Sequence, residues 1–323
     1  MQRFARDATK TKRGRICGVQ VLDVGMVALE GEREDMAKRQ LYVLCDMEGG
    51  SGISPDNKQA MYYGSERWQT EGREYITSDV LAVCEAASGF GIDEIILNDS
   101  HDYGKREPNV LMEKLPENVR LVRRPHLPGK PRHMVRGEPF GMVIVGQHAM
   151  YGGGGFAPHT IQSPPIGCIT LNDIPVGEIG LELALFMGTR LLAIVGEQAA
   201  VNEARQLCPA AIGVPVKSLE SNWYPSAQEM QSEIRSGVSD ALRHRDEMSG
   251  LHLNPPFRFS LEPTNDYFFD PTAQFFLRSL SRFFLFGLCN GRMSELKTSW
   301  ESRSIIRGLY ALESARTFLR RHG

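Results

Sequence analysis

The 323-residue chain is predicted to be an α/β protein, with a three-layer, mostly parallel sheet domain followed by a smaller α+β C-terminal domain. Two observations predict this class. Short apolar runs of strand length alternate with longer segments of helical periodicity, which is typical of a parallel sheet covered by helices. Several of these runs also end in a polar tip, and functional side chains collect at the carboxyl ends of parallel strands.

The elements of the first domain follow in order from near Gln40. Short apolar runs bounded by polar or glycine residues predict its strands, whereas apolar residues at helical spacing predict its helices. The predicted strands cover residues 41–45, 94–97, 119–122, 141–145 and 192–195. The predicted helices cover residues 65–88, 180–189 and about 198–207. A hairpin is predicted over residues 168–176, because Asn172-Asp173 is a favourable turn pair.

Three regions are expected along the chain. Residues 1–39 carry a basic start and are expected to be a poorly ordered extension. Residues 40–215 form the predicted metal-binding α/β domain. Residues 216–323 form the predicted C-terminal α+β region, which serves oligomerisation and shapes the pocket. Its predicted elements are helices over 228–245, 272–288 and 304–319 and a strand over 258–261.

Composition and charge exclude several function classes. The net charge of −2 argues against a general nucleic-acid binder, which needs a basic face for phosphates. No apolar stretch approaches the roughly 20 residues that a membrane helix needs. The six cysteines are scattered without any CxxC pair, which favours reduced thiols over a disulfide framework. The chain is therefore expected to act in the cytoplasm, without nucleic-acid or membrane partners.

The polar tips are individually weak signals. Asp46 and Glu48 follow the first strand, His101 follows the second, and His148 follows the fourth. Each has an ordinary structural explanation, since strand-end acids cap helices and polar tips form Asx turns. Glu178 lies near a helix start, where an acid commonly interacts with the helix dipole.

Taken together, these residues predict a metal site. Two imidazoles and three carboxylates suit Zn²⁺, Mn²⁺ or Co²⁺. With three acids, one carboxylate can bridge two ions, and a two-metal site activates water and polarises a carbonyl. The glycines that follow Glu48 allow backbone and substrate to approach such ions closely.

Four segments in this order resemble the D-aminopeptidases of peptidase family M55, the zinc-dependent type found in dipeptide-transport operons. They are Cys45-Asp46-Met47-Glu48-Gly49, Asn98-Asp99-Ser100-His101, Gly146-Gln147-His148-Ala149 and Pro175-Val176-Gly177-Glu178-Ile179-Gly180. The resemblance runs from about Leu41 to Lys217 and more weakly to the C-terminus. It implies a metallo-aminopeptidase that hydrolyses short peptides.

The resemblance also implies roles for single residues. Asp46 matches a bridging aspartate, and the other ligands of a two-zinc site are matched by Glu48, His101, His148 and Glu178. His159 matches the family's catalytic histidine. We expect it to stabilise the developing oxyanion or to shuttle a proton, whereas a zinc-activated water attacks. As a loop histidine, it could alternatively serve only packing. The family forms ring-shaped decamers, which implies a homo-oligomer here.

The chain departs from the family after Lys217, where it has Ser221-Asn222-Trp223-Tyr224-Pro225. This segment leaves the preference for D-amino acids open. It also keeps open an alternative function, a metal-dependent amidohydrolase or phosphoesterase acting on a non-peptide substrate.

Three further residues are candidates for supporting roles. Lys217 is a candidate to hold a substrate carboxylate, although surface lysines are common. Asp99 and Glu197 are candidates to orient ligand imidazoles from behind. Glu197 could equally be a helix cap.

Overall fold

A computed structural model describes residues 38–103, 107–122, 138–161, 166–263, 290–294 and 297–312. The N-terminal extension (but for residues 38 and 39) and the predicted helix over 272–288 lie outside these residues. The strands are β1 (Gln40–Cys45), β2 (Glu94–Asp99), β3 (Val119–Val122), β4 (Gly141–Gln147), β5 (Ile166–Leu171), β6 (Ile174–Pro175), β7 (Leu191–Glu197), β8 (Ile212–Lys217), β9 (Phe257–Pro263), β10 (Asn290–Ser294) and β11 (Lys297–Ser302). The α-helices are α1 (Arg73–Ser88), α2 (Glu178–Leu185), α3 (Gln198–Leu207) and α4 (Ala227–Arg243).

Six strands form a sheet in which every neighbouring pair is parallel, and this confirms the predicted α/β class. The spatial order is β3-β2-β1-β4-β7-β8. After β1 the chain adds β2 and β3 on one side of it. It then returns to the other side of β1 and adds β4, β7 and β8. The crevice between β1 and β4 is the switch point at which such sheets bind ligands.

Alternating side chains of the sheet form two cores, one on each face. Leu41 and Val43 of β1 face a core shared with α1 and α4. Tyr42 and Leu44 face a second core that contains residues of α2 and α3. Because side chains of a strand point alternately to opposite faces, these buried strands are apolar throughout, and three layers result.

A second, five-stranded sheet has the order β10-β11-β9-β5-β6 and contributes to the same core as α2 and α3. Its pairs are antiparallel. The rings of Phe259 and Trp300 stack with centroids 5.4 Å apart. The predicted hairpin turn is present between β5 and β6, where Asn172 and Asp173 adopt positive φ angles of 50° and 67°.

Several boundaries differ from the sequence prediction for identifiable reasons. The strand β2 extends to Asp99, because Asn98 and Asp99 continue the pairing with β1. The helix α2 ends at Leu185, four residues early, and Gly188 follows with a positive φ of 91°. The strand β8 was not predicted, because it contains Pro215. It is an edge strand, where proline is tolerated.

The C-terminal region contains strands that sequence patterns did not reveal. The predicted strand over 258–261 is present as β9, and the predicted helix over 228–245 as α4. The strands β10 and β11 were not predicted. Of the predicted helix over 304–319, residues 305–312 are described and are helical.

Short helical turns complete the described part of the chain. A π-helical turn, Trp68–Gly72, leads into α1. Single 3₁₀ segments cover Pro55–Met61, His101–Tyr103, Met112–Lys114 and Arg245–Glu247. No helix among the described residues is both long and apolar enough to cross a bilayer.

The turn after β1 is held tightly against β4. The amide of Gly49 donates to the carbonyl of Gly146 at 2.8 Å. A Cβ at position 49 would overlap the carbonyl oxygen of Gln147, so only glycine fits this approach. The same turn carries Asp46 and Glu48, and its position is therefore set by backbone contact between two neighbouring strand ends.

Replacing Gly49 by alanine is expected to lower the free energy of unfolding by more than about 2 kcal/mol, because backbone would have to move. Gly89→Ala is the matched control, since a Cβ at Gly89 meets no atom within 4 Å. Chemical denaturation of both variants measures the difference. Equal stability of the two variants would contradict this account of the turn.

Candidate metal centre

Three neighbouring strands deliver most of the predicted ligands to one place. Asp46 directly follows β1, His101 follows β2 after one residue, and His148 directly follows β4. The order β2-β1-β4 makes these strand ends adjacent, at the switch point of the sheet. Glu178 comes from a different layer as the first residue of α2. The structure thus brings together all five predicted ligands.

The first donor group consists of Asp46, Glu48 and His101. Nδ1 of His101 lies 3.1 Å from Oδ1 of Asp46 and 3.0 Å from Oε2 of Glu48. All three side chains are at most 5% exposed. Three buried donor atoms therefore converge on one point.

The second donor group consists of His148, His159 and Glu178. Nε2 of His148 lies 3.8 Å from Oε1 of Glu178. The same Glu178 oxygen accepts a hydrogen bond from the amide of Ile161 at 2.6 Å, which fixes the carboxylate. This group differs from the first in that His159 is partly exposed, at 25% of its side chain.

Asp46, a member of the first group, lies between His101 and the second group. Its Oδ1 faces His101, whereas its Oδ2 lies 3.7 Å from Nε2 of His148. Oδ2 also accepts a hydrogen bond from the side-chain amide of Gln147 at 3.1 Å. One carboxylate thus presents one oxygen to each group, which is the arrangement that a bridging ligand requires.

Hydrogen bonds fix which nitrogen of each imidazole faces the site. Nε2 of His101 lies 2.8 Å from the carbonyl of Met61, and Nδ1 of His148 lies 2.8 Å from the carbonyl of Ala149. A carbonyl only accepts, so each of these nitrogens carries a proton and donates it. The bare nitrogen of each neutral ring then points into the cluster, as a metal ligand must.

The residues fit a divalent cation. Nε2 of His148 is buried and has no hydrogen-bond partner among the described residues, a costly state for a polar atom. Its distances of 3.7 and 3.8 Å to two carboxylate oxygens are close to the roughly 3.5 Å between two ligands of one tetrahedral zinc ion. A cation between these atoms would satisfy all of them.

The electrostatics of the cluster also favour a cation. Burial and the neighbouring Glu48 raise the pKa of Asp46. Burial opposes the charged form of Glu48 as well, but His101 and His148, with a hydrogen bond to Asp46, together hold the Glu48 pKa well below its usual range. Burial disfavours the imidazolium of His148, yet Glu178, Glu48 and Asp46 raise its pKa to about 9. The buried carboxylates thus draw positive charge to this pocket.

His159 lies against the second group in a position suited to chemistry. Its ring stacks on His148, with centroids 3.8 Å apart and planes inclined by 14°. Its Nδ1 donates to the carbonyl of Ala157 at 2.9 Å, and Nε2 lies 3.9 Å from Oε1 of Glu48. His159 is the most exposed of the six clustered side chains, so solvent or a substrate can reach it.

Asp99 and Glu197 were predicted to orient imidazoles, and both are buried near ligands. Asp99 accepts hydrogen bonds from the main-chain and side-chain amides of Asn109, at 2.6 and 2.7 Å, and Asn109 in turn donates to the carbonyl of His101. Glu197 accepts from the main-chain amides of Ala149, at 2.7 Å, and Phe156. Both acids therefore support the backbone that carries the ligands.

Lys217 was predicted to hold a substrate carboxylate. The side chain lies inside the protein, at 1% exposure. Its Nζ donates to the carbonyls of Glu48 and Ile53, at 2.7 and 2.9 Å. Burial lowers the pKa of the ammonium to about 7, although Glu197, Asp79 and Glu48 favour its charged form. The ammonium therefore contacts the loop that carries Glu48.

Two supporting residues escaped the sequence prediction. Gln147 positions Asp46, and Asp79 accepts from both the amide and the hydroxyl of Ser51. Burial raises the pKa of Asp79 to about 6. A signal for Asp79 was present, since a lone acid among Ile76, Val80 and Val83 interrupts the apolar face of α1. Gln147 gave no signal beyond its place beside His148.

A cavity of about 430 Å³ lies between the glycine-rich loop over residues 152–155 and one side of α3. Of the predicted site residues, Glu197 lies in its wall. The wall consists of Ala149, Met150, Gly153, Gly154, Gly155, Glu197, Gln198, Ala199, Asn202, Glu203, Gln206, Ser218, Leu219 and Glu220.

Comparison with known proteins gives two matches. Residues 40–275 match the model of a peptidase family, M55, described as D-aminopeptidase. Among solved structures, the chain is similar to the Zn-dependent D-aminopeptidase DppA from Bacillus subtilis, described as a self-compartmentalizing protease. The TM-score is 0.71 at 21% identity, over 87% of this chain and 98% of that chain. No curated protein sequence matches the chain.

Replacing His148 by glutamine is expected to remove about one metal equivalent per chain, because the bare Nε2 between Asp46 and Glu178 is lost. His244→Gln is the matched control, since His244 follows α4, lies outside both donor groups and has a half-buried side chain. Elemental analysis after dialysis against zinc measures the metal content of both variants. An unchanged zinc content in His148→Gln would contradict the assignment of this nitrogen as a ligand.

Proposed function

Because this chain belongs to the M55 family of D-aminopeptidases, we propose that it removes the N-terminal residue from short peptides, using two zinc ions per subunit. The observation that carries the proposal is the position of Asp46. Its two oxygens face two separate groups of donors, one with His101 and one with His148. Two ions that share one carboxylate account for both groups, whereas a single ion would leave one group unused.

In this proposal five residues serve as metal ligands, and His159 takes part in the reaction. Asp46, Glu48 and His101 would hold one ion, and Asp46, His148 and Glu178 the other. When bound, the two ions would polarise the scissile carbonyl and make a water more acidic. The five ligands are buried, so water access is restricted and the charges act at short range in a medium of low dielectric constant.

His159 would move the proton. In its neutral form the proton lies on Nδ1, which donates to the carbonyl of Ala157, and Nε2 is the bare nitrogen directed toward Glu48. A bare Nε2 can take a proton from the attacking water but cannot donate one to an oxyanion. We therefore favour proton transfer, in which Nε2 accepts the water proton and then gives it to the leaving amine.

The position of the segment after Lys217 favours a second candidate substrate class, a non-peptide amide or phosphoester. Ser218 and Trp223 pair across a tight turn, and Tyr224 lies edge-on to Phe156 with ring centroids 6.3 Å apart. Phe156 is three residues from His159, so this segment lies beside the loop of the reacting histidine. The departure from the family pattern therefore falls where it can alter substrate choice, and a non-peptide amide or phosphoester is the second candidate.

Assembly and location complete the proposal. Like the neighbour described as self-compartmentalizing, this chain is proposed to form a homo-oligomer, with a decameric ring as the expected form. Tyr62, Tyr151 and Trp223 are 41–50% exposed and are candidates for contacts between subunits. A cytoplasmic location is consistent with the buried, free thiols of Cys45 and Cys84.

Replacing His159 by alanine is expected to lower kcat by about 100- to 10,000-fold, the range for loss of a general acid–base group. The zinc content should stay at two per chain. Dipeptide hydrolysis and elemental analysis of the same sample measure both quantities. Loss of one zinc equivalent together with activity would instead identify His159 as a ligand.

At least one member of a pair of D-alanyl and L-alanyl dipeptides is expected to be cleaved at its N-terminal residue, and the ratio of the two rates measures which form is preferred. Removal of metal by a chelator should abolish cleavage, and added zinc should restore it. N-acetylated dipeptides are the control, because an aminopeptidase needs the free amine. Cleavage of a phosphoester or a non-peptide amide, with all dipeptides left intact, would overturn the proposal in favour of the second candidate.

A further inference from the structure

We propose that Lys217 and Glu197 are a pair of positioning residues, each of which holds one half of the metal centre in place. This inference rests on the two-ion centre proposed above. The two residues are partners in register at the carboxyl ends of β7 and β8. Both are 1% exposed, so a basic and an acidic side chain lie together inside the protein.

Lys217 holds the loop that carries Glu48, a member of the first donor group. Its ammonium bonds the carbonyls of Glu48 and Ile53, which are the two ends of the loop that follows Asp46. Buried main-chain carbonyls need hydrogen-bond donors, and a single ammonium group donates to both of these carbonyls. The Glu48 main chain, and with it the start of the carboxylate side chain, is therefore fixed by Lys217.

Glu197 holds the segment between His148 and His159, two members of the second donor group. One carboxylate oxygen accepts from the amide of Ala149 and the other from the amide of Phe156. These amides lie between His148 and His159. Gly155 passes so close to the carboxylate that a Cβ there would overlap it. Glu197 thus sets how far the segment between the two histidines can open.

Phe156 contacts both members of the pair, Glu197 and Lys217. Its amide is bound by Glu197, and the Lys217 ammonium lies 4.9 Å from the centroid of its ring. A cation at this distance from an aromatic face is attracted to it. One strand-end pair therefore contacts both ligand-bearing loops, and the distance between the loops is set by two adjacent positions of the sheet.

The test crosses positioning variants with ligand variants. His148→Gln leaves only the first donor group intact, and His101→Gln leaves only the second. In the His148→Gln background, Lys217→Met is expected to weaken binding of the remaining Co²⁺ ion by about 10- to 100-fold. In the His101→Gln background, Lys217→Met should leave the affinity for the remaining ion within about threefold of its parent. Glu197→Gln should show the reverse pattern.

The visible absorption of Co²⁺ during titration measures each affinity, and thermal unfolding of the metal-free proteins measures stability separately. Lys114→Met and Glu74→Gln are the matched controls, because they remove an exposed lysine–glutamate pair. If Lys217→Met does not fold, Lys217→Gln, which keeps a neutral amide donor group, undergoes the same crossed titration.

Three results would overturn the inference. Equal weakening of both ions by each variant would reduce the pair to general structural support. Unchanged Co²⁺ affinities would do so as well, even if thermal stability falls. A rise in KM for dipeptides with unchanged Co²⁺ affinities would instead favour the substrate contact predicted for Lys217. Failure of the unsubstituted protein to bind two ions would contradict the proposed function itself. Titration of the unsubstituted protein, apart from the variants, distinguishes this failure from failure of the present inference.

Discussion

The carboxylate of Asp46 is the constraint on which the rest of the site depends. It is buried at the end of β1 and has a histidine on either side. Buried carboxylates are costly unless they are paired or bind metal. The surroundings of Asp46 offset that cost, because Gln147 donates a hydrogen bond to Oδ2 and because a divalent cation, held by the bare nitrogens of His101 and His148, would neutralise the charge.

The sheet explains why these groups meet. The order of its strands places the ends of β2, β1 and β4 side by side, so residues far apart in sequence become neighbours. Backbone contacts then set the turn after β1 against β4. Buried charges at the ends of β7 and β8 hold the flanking loops. The main chain thus sets the positions of the clustered side chains, and His159 is the most exposed side chain among them.

The sequence was sufficient for the parallel sheet and for the meeting of Asp46, His101 and His148, because both follow from local patterns at the strand ends. Apolar runs identify β1, β2, β4 and β7, and polar residues at their ends identify the site. It was not sufficient for β8, because Pro215 lowers strand propensity and only the edge position makes it acceptable. The contacts of Lys217 were also beyond the pattern, since a buried lysine and a surface lysine look alike in sequence.

The most direct test of the central claim is anomalous diffraction at the zinc edge from crystals of the zinc-loaded protein. The account predicts two peaks, one on each side of the Asp46 carboxylate, with the first beside Nδ1 of His101 and the second beside Nε2 of His148. A single peak, or peaks that leave either nitrogen without a metal, would contradict it.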